Sequence, residues 1–145
     1  TIECPCGYKS STPDITTNLR IPLEINDHLG YIIEHKTPID FNCPNCKSKI
    51  PYRTETLVHM GELLFIICNK TNKAFPDKLI LSKNDKERIQ MNLIASIEHI
   101  SDGGGHYFAC GVCDDKWYLF DDEKIIPLVN FQNSPNTYAL LYELK

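Results

Sequence analysis

The chain has 145 residues, 42% of them hydrophobic and 23% charged, with a net charge of −4. This is a globular composition, long enough to bury a core as one domain or two small subdomains. A phosphate-binding surface needs clustered Lys and Arg, so the acidic balance argues against a nucleic-acid partner. The short basic stretches Lys47 to Arg53 and Lys83 to Arg88 read as solvated faces. No run approaches the roughly 18 apolar residues of a membrane span. The chain starts at Thr1 without a Met and has no secretory pattern, which points to a boundary or processing site there.

Taken in chain order, the first segment runs over residues 1–53. Cys4-Pro5-Cys6-Gly7 predicts a tight knuckle, because Pro and Gly punctuate the backbone. Leu19, Ile21, Leu23 and Ile25 alternate with other residues, the period of a half-buried strand. Residues 27–35 suit one short helix. Phe41-Asn42-Cys43-Pro44-Asn45-Cys46 predicts a second knuckle.

The second segment, residues 54–145, is strand-rich. Leu63 to Cys68 is an apolar run of buried-strand length. Further strands are predicted at Lys78 to Leu81, Met91 to His99, Ile125 to Val129 and Tyr138 to Leu144. Tyr107 to Cys113 and Trp117 to Phe120 form a predicted hairpin around Asp114-Asp115-Lys116. The content points to an antiparallel sheet with a small metal-held appendage.

The seven cysteines divide by context. Cys4/Cys6 and Cys43/Cys46 are two close pairs about forty residues apart, a spacing that suggests one tetrahedral thiolate site more than a disulfide framework. Zinc suits such a site and would be structural, with no open position for water; the bland alternative is buried free thiols. The first pair is one residue tighter than the usual C-x-x-C. Zinc thiolates also fit a reducing, intracellular compartment. Cys68 reads as a small hydrophobe in a strand. Cys110 and Cys113 lie three apart on a strand and so face opposite ways, which argues against shared ligation.

His106 follows Gly103-Gly104-Gly105 and enters a strand, a good position for a general base. The predicted hairpin brings Asp121 back to the level of His106. A carboxylate there can orient the imidazole and stabilise its charged form. The alternative is a turn histidine beside a solvated acidic cluster.

These residues resemble a known family. Leu93-Ile94-Ala95-Ser96-Ile97-Glu98-His99, Gly105-His106-Tyr107, Trp117-Tyr118-Leu119-Phe120-Asp121-Asp122 and Tyr138-Ala139-Leu140-Leu141-Tyr142 resemble, in order and spacing, the C-terminal box of ubiquitin-specific proteases. Upstream, the two cysteine pairs and the stretch Met60 to Lys70 are similar to that family's zinc-binding fingers and the strand after them, although the strand's usual Pro and Arg are missing. The resemblance implies a strand-rich α+β fold, half of a papain-like cysteine protease. Residues 1–53 would be the fingers and residues 54–145 an antiparallel palm sheet. It implies His106 as base, Asp121 as its orienting residue, Asp122 as an assisting acid, Trp117 and Tyr107 as supports, and Gly103 to Gly105 beside the channel for the ubiquitin tail. Cys4, Cys6, Cys43 and Cys46 would ligate zinc.

The family's nucleophile segment has no counterpart among these 145 residues, and none of the seven cysteines stands in its context. Two functions follow. One is a cysteine isopeptidase that removes ubiquitin or a ubiquitin-like modifier, with the thiol supplied by a separate thumb segment, so that this chain alone is inactive. The other is a non-catalytic module that binds ubiquitin or scaffolds a complex. A zinc ribbon binding nucleic acid is a third class, which the acidic composition disfavours.

Overall fold

The computed structural model describes residues 1–68, 70–84 and 86–145, without the side chains of residues 83 and 84. Asn69 in the Met60–Lys70 stretch and Asp85 in the Lys83–Arg88 stretch lie outside the described residues. The elements in order are β1 (Ile2–Glu3), β2 (Lys9–Ser10), β3 (Leu19–Arg20), α1 (His28–Ile33), β4 (Glu34–Asn42) and β5 (Lys49–Thr56). They continue with β6 (Leu63–Ile67), β7 (Lys78–Asn84), β8 (Glu87–Ile100), β9 (His106–Cys113), β10 (Lys116–Asp121), β11 (Lys124–Leu128) and β12 (Thr137–Leu144). The chain divides into two compact units, Thr1–Thr16 with Asp27–His59, and Thr17–Asn26 with Met60–Lys145.

The first unit consists of two antiparallel pairs, β1 with β2 and β4 with β5, and the helix α1. Asp27 caps α1 by accepting the Gly30 N–H at 2.9 Å. A Cβ on residue 30 would fall 2.2 Å from the Asp27 Oδ2, so a larger residue there would make the capping carboxylate shift. Burial alternates along β4, with His35, Thr37, Ile39 and Phe41 on the better-covered face. Cys4, Cys43 and Ile50 form the buried cluster at the knuckle end, with Ile2, Tyr8 and Phe41 packed against them. The amide of Thr54 donates to the Thr1 carbonyl at 2.8 Å and ties the N-terminus to β5.

The second unit is an eight-stranded sheet in the order β11-β10-β9-β8-β12-β6-β3, with β7 also paired to β8. β8 is 14 residues long; β12 runs along one edge, and β7 and β9 share the other. Ile66, Leu79, Leu81, Met91, Leu140 and Tyr142 are fully buried and form the core. The expected antiparallel sheet holds at every pairing but one, since β3 runs parallel to β6. The predicted strand from Leu19 to Ile25 is also shorter than its alternation suggests. Ile21 makes its last backbone bond, to the Ile67 carbonyl. Pro22 has no N–H to continue the ladder, the chain turns, and Leu23 is left 52% exposed.

The β9–β10 hairpin closes through Asp114 and Asp115, both at positive φ (49° and 61°), as in a type I′ turn. β10 and β11 close through Asp122 and Glu123, with Asp122 at φ 51°. Among the described residues no helix is long and apolar enough to cross a membrane.

Candidate metal centre and histidine–aspartate site

The two cysteine knuckles close in the same way. The Cys4 N–H donates to the Tyr8 carbonyl and the Gly7 N–H to the Cys4 carbonyl, both at 2.9 Å. In the second, the Cys43 N–H donates to Ser48 and the Lys47 N–H to Cys43, again at 2.9 Å. Each turn needs a left-handed residue, Gly7 at φ 93° and Lys47 at φ 63°. The shorter first knuckle therefore still aims both sulfurs inward. The Sγ atoms of Cys4, Cys6, Cys43 and Cys46 all lie within 4.8 Å of one another. Cys4 to Cys46 and Cys6 to Cys43 are each 3.5 Å apart. A tetrahedron with Zn–S of about 2.3 Å has edges of about 3.8 Å, so the four thiols fit a zinc site.

Hydrogen bonds pull two of the four thiols toward the thiolate form that a metal ion takes. The Ser48 hydroxyl lies 2.8 Å from Cys46 Sγ and 3.5 Å from Cys4 Sγ. Its hydrogen bond, with that of its backbone, brings the Cys46 thiol down to about 6, and it is the main cause that lowers Cys4. The Tyr8 N–H pulls Cys6 down as well, but the Cys4 and Cys43 sulfurs push it up to a net value of about 12. Four neighbouring thiolates repel one another until a metal ion neutralises them. Ser48 is the contributor that knuckle spacing does not reveal; its signal is only its position two residues past Cys46.

The second constellation lies in the other unit. Gly103, Gly104 and Gly105 all have positive φ (72°, 109° and 85°), so this loop needs glycine throughout. A Cβ on residue 105 would also sit 3.1 Å from the His99 Nε2. The His99 ring stacks on Tyr107 with centroids 4.2 Å apart, and Tyr107 meets Tyr138 edge-on at 6.3 Å. His106 opens β9 opposite Ile100. Its Nε2 lies 2.6 Å from Asp121 Oδ1, and the two side chains are 47% and 32% exposed. Phe120 pairs with Ala109, which places Asp121 diagonal to His106, not directly opposite; a carboxylate and an imidazole reach across such a diagonal. Asp122 completes a group of three whose ligand atoms lie within 4.8 Å of one another. His106, Asp121, Asp122, Glu123 and Lys124 line an open depression. On β10, the strand that ends in Asp121, Trp117 stacks on Phe131 of the segment after β11 with centroids 4.8 Å apart.

The remaining cysteines follow their burial. Cys68 is buried and desolvation pushes its thiol up to about 12; Cys110 is buried and raised for the same reason. Both shifts oppose the thiolate that a nucleophile needs. Cys113 is exposed, whereas Cys110, three residues earlier, is buried. Sequence reasoning also missed a buried carboxylate. Glu98, 4% exposed, accepts hydrogen bonds from Ser96 at 2.7 Å and Thr137 at 3.0 and 3.1 Å. Nothing in the local pattern signals a polar residue that is satisfied by a distant strand.

No protein-family profile matches the chain, and no curated protein matches it by sequence. Solved structures do. A chain of the yeast SAGA DUBm with an Sgf73 mutant aligns with 99% of this chain at a TM-score of 0.78 and 17% identity. A chain of the SAGA DUB module of Ubp8, Sgf11, Sus1 and Sgf73 bound to monoubiquitin aligns with 99% at 0.72 and 18%. An essential yeast splicing factor aligns with 63% of it at 0.50 and 14%. The chain spans 39% of the length of the two SAGA module chains. The likeness is one of fold: a strand-rich α+β arrangement with a zinc-ribbon-like cysteine cluster.

Proposed function

We propose that the chain is the fingers-and-palm part of a cysteine isopeptidase that removes ubiquitin or a ubiquitin-like modifier. The observation that carries this reading is the 2.6 Å His106–Asp121 pair beside three glycines at positive φ. With Nε2 held by Asp121, Nδ1 is the nitrogen left to take a proton. His106 then acts as general base for a thiol carried by a thumb segment outside these 145 residues, and Asp121 holds its tautomer and stabilises the imidazolium. Asp122 adds negative charge at the same rim. The thiolate attacks the carbonyl of the modifier's C-terminal glycine, His106 returns the proton to the leaving amine, and water clears the acyl intermediate. The glycine loop lets the backbone lie close to a thin, extended tail. The four-cysteine site holds the fingers, and its thiolates suit a reducing compartment, cytoplasm or nucleus. Supporting the reading are the fold of the SAGA DUB module chains and the monoubiquitin bound in one of those structures.

The test uses the native protein that contains this chain and a ubiquitin probe with a C-terminal electrophile. His106→Ala should abolish turnover and leave the zinc of the four-cysteine site and the melting temperature unchanged. Unchanged turnover would sink the assignment. The 145-residue chain by itself should form no adduct. If the native protein also forms none yet binds ubiquitin, the non-catalytic binding module is the correct reading. The mapping of each of the four cysteines, and of Asp122, rests on the same resemblance and is tested by single substitutions.

A further inference from the structure

We infer that His106, Asp121 and Asp122 form a second, exchangeable site for a divalent transition-metal ion. Their ligand atoms, one imidazole nitrogen and two carboxylate oxygens, lie within 4.8 Å of one another. An ion bound at about 2.0–2.2 Å from each holds such atoms about 3–4 Å apart, a change that side-chain rotation supplies. The backbone is already fixed. His106 is paired to Ile100, and Asp121 is paired to Lys124 across a two-residue turn. Asp122 sits in that turn, so its left-handed backbone directs a second carboxylate to the same rim. Asp tolerates this conformation for local reasons, and an acidic turn alone needs no ion. The imidazole in the group makes the difference, because it adds a borderline nitrogen donor to two hard oxygens. That set suits Zn²⁺, Co²⁺ or Mn²⁺ and not a soft, strictly thiolate-seeking ion such as Cu(I). The open depression leaves coordination positions for water and a path in and out, so the ion exchanges and does not hold the fold.

The ion takes the place of the hydrogen between Nε2 and Asp121 Oδ1. It also pulls the imidazole away from any partner on Nδ1. If the preceding reading holds, a bound ion therefore blocks the general base reversibly without touching the thiol.

The binding test uses the 145-residue chain with zinc already in its cysteine site, titrated with Co²⁺. One further equivalent should bind, with the weak visible absorbance of nitrogen and oxygen ligands and without the intense thiolate charge-transfer band. His106→Ala should abolish that equivalent. Asp122→Asn should weaken it about tenfold or more, since even outer partners of metal ligands carry about 10–100-fold. A titration that shows no second equivalent, or one that both variants leave unchanged, overturns the site. Paramagnetic broadening by Mn²⁺ confined to amides near residues 106 and 121–123 supports it, and broadening elsewhere alone refutes it. Inhibition of the native protein is a separate arm. Binding without inhibition leaves the metal site standing and counts against His106 as the base.

Discussion

Replacing Cys43 by alanine tests the metal centre most severely, because Cys43 is both a ligand and a core residue. Its side chain is fully buried, and its amide and carbonyl close the second knuckle through Ser48 and Lys47. The apolar cluster around the site has only three buried members, Cys4, Cys43 and Ile50. Full burial of Ile50 contributes about 1.5–3 kcal/mol. A structural zinc ion contributes about 10–16 kcal/mol of apparent binding energy in small zinc-held folds at neutral pH. The ion therefore outweighs the cluster severalfold, and three remaining thiols cannot replace the closed tetrahedron. Losing even ~4 kcal/mol of that term raises local opening about 10³-fold, at 1.4 kcal/mol per factor of ten. The assay is hydrogen exchange read by mass spectrometry, with zinc content measured on the same sample. Wild type should hold one zinc per chain and protect the Cys43, Lys47 and Thr54 amides. Cys43→Ala, or chelator treatment of wild type, should bring these amides to near-unprotected exchange while the Leu140 and Tyr142 amides in β12 stay slow. Protection of the knuckle amides that survives complete zinc removal would refute the reasoning, since it would mean that packing alone holds the unit.

Three further perturbations address the second unit. Asp121→Asn keeps the shape but not the charge beside His106; it should lower turnover of the native protein on the order of 10³–10⁴-fold with an unchanged melting temperature, and a small loss would mean that Asp121 does not orient the base. Thr137→Val removes the hydroxyl that donates to both Glu98 oxygens and should cost about 1–3 kcal/mol, read as a lower denaturant midpoint; an unchanged midpoint would show that Glu98 finds other partners. Cys68 gives a pH dependence: burial raises its folded-state value to about 12, whereas an unfolded thiol ionises near 8.5. The neutral thiol is favoured by folding, so its stabilisation is complete below about pH 8.5 and is lost as pH rises toward 12. Cys68→Ala should flatten that part of the stability–pH curve, and an unaltered slope would show that other groups set it.

The hairpin that carries His106 and Asp121 was legible because Asp114-Asp115-Lys116 interrupts two apolar, aromatic-rich runs. The diagonal offset of the pair was not, since register follows from the conformation of the turn and not from composition. β6 was legible as an apolar run, and α1 as a short segment between knuckle and strand. The long β4–β5 hairpin was not seen. Its better-covered positions are His35, Thr37, Ile39 and Phe41, half of them polar, so the two-residue period leaves no trace in hydrophobicity. His35 is satisfied instead by Glu55 at 2.8 Å and the Tyr31 carbonyl at 3.0 Å, contacts that appear only once the strands pair. β3 failed in the opposite direction: its alternation was real, but Pro22 ends the ladder.

The placement of the candidate base is decided by residues that do no chemistry. Along β9 the faces alternate, so His106, Phe108 and Cys110 share one side and Tyr107 and Ala109 the other. Burial of Cys110 decides which side turns to the core, and the stack of Tyr107 on His99 occupies the opposite face. A slip of one residue would exchange His106 with Tyr107 and move Cys110 out of the core. The Asp114–Asp115 turn fixes that register at one end, and the pairing of His106 with Ile100 fixes it at the other. Asp121 then needs no separate positioning, because it ends the strand that the same turn begins. The 2.6 Å contact is thus a consequence of hairpin register and core packing, and substitutions at Cys110 or Tyr107 act on it through those two terms.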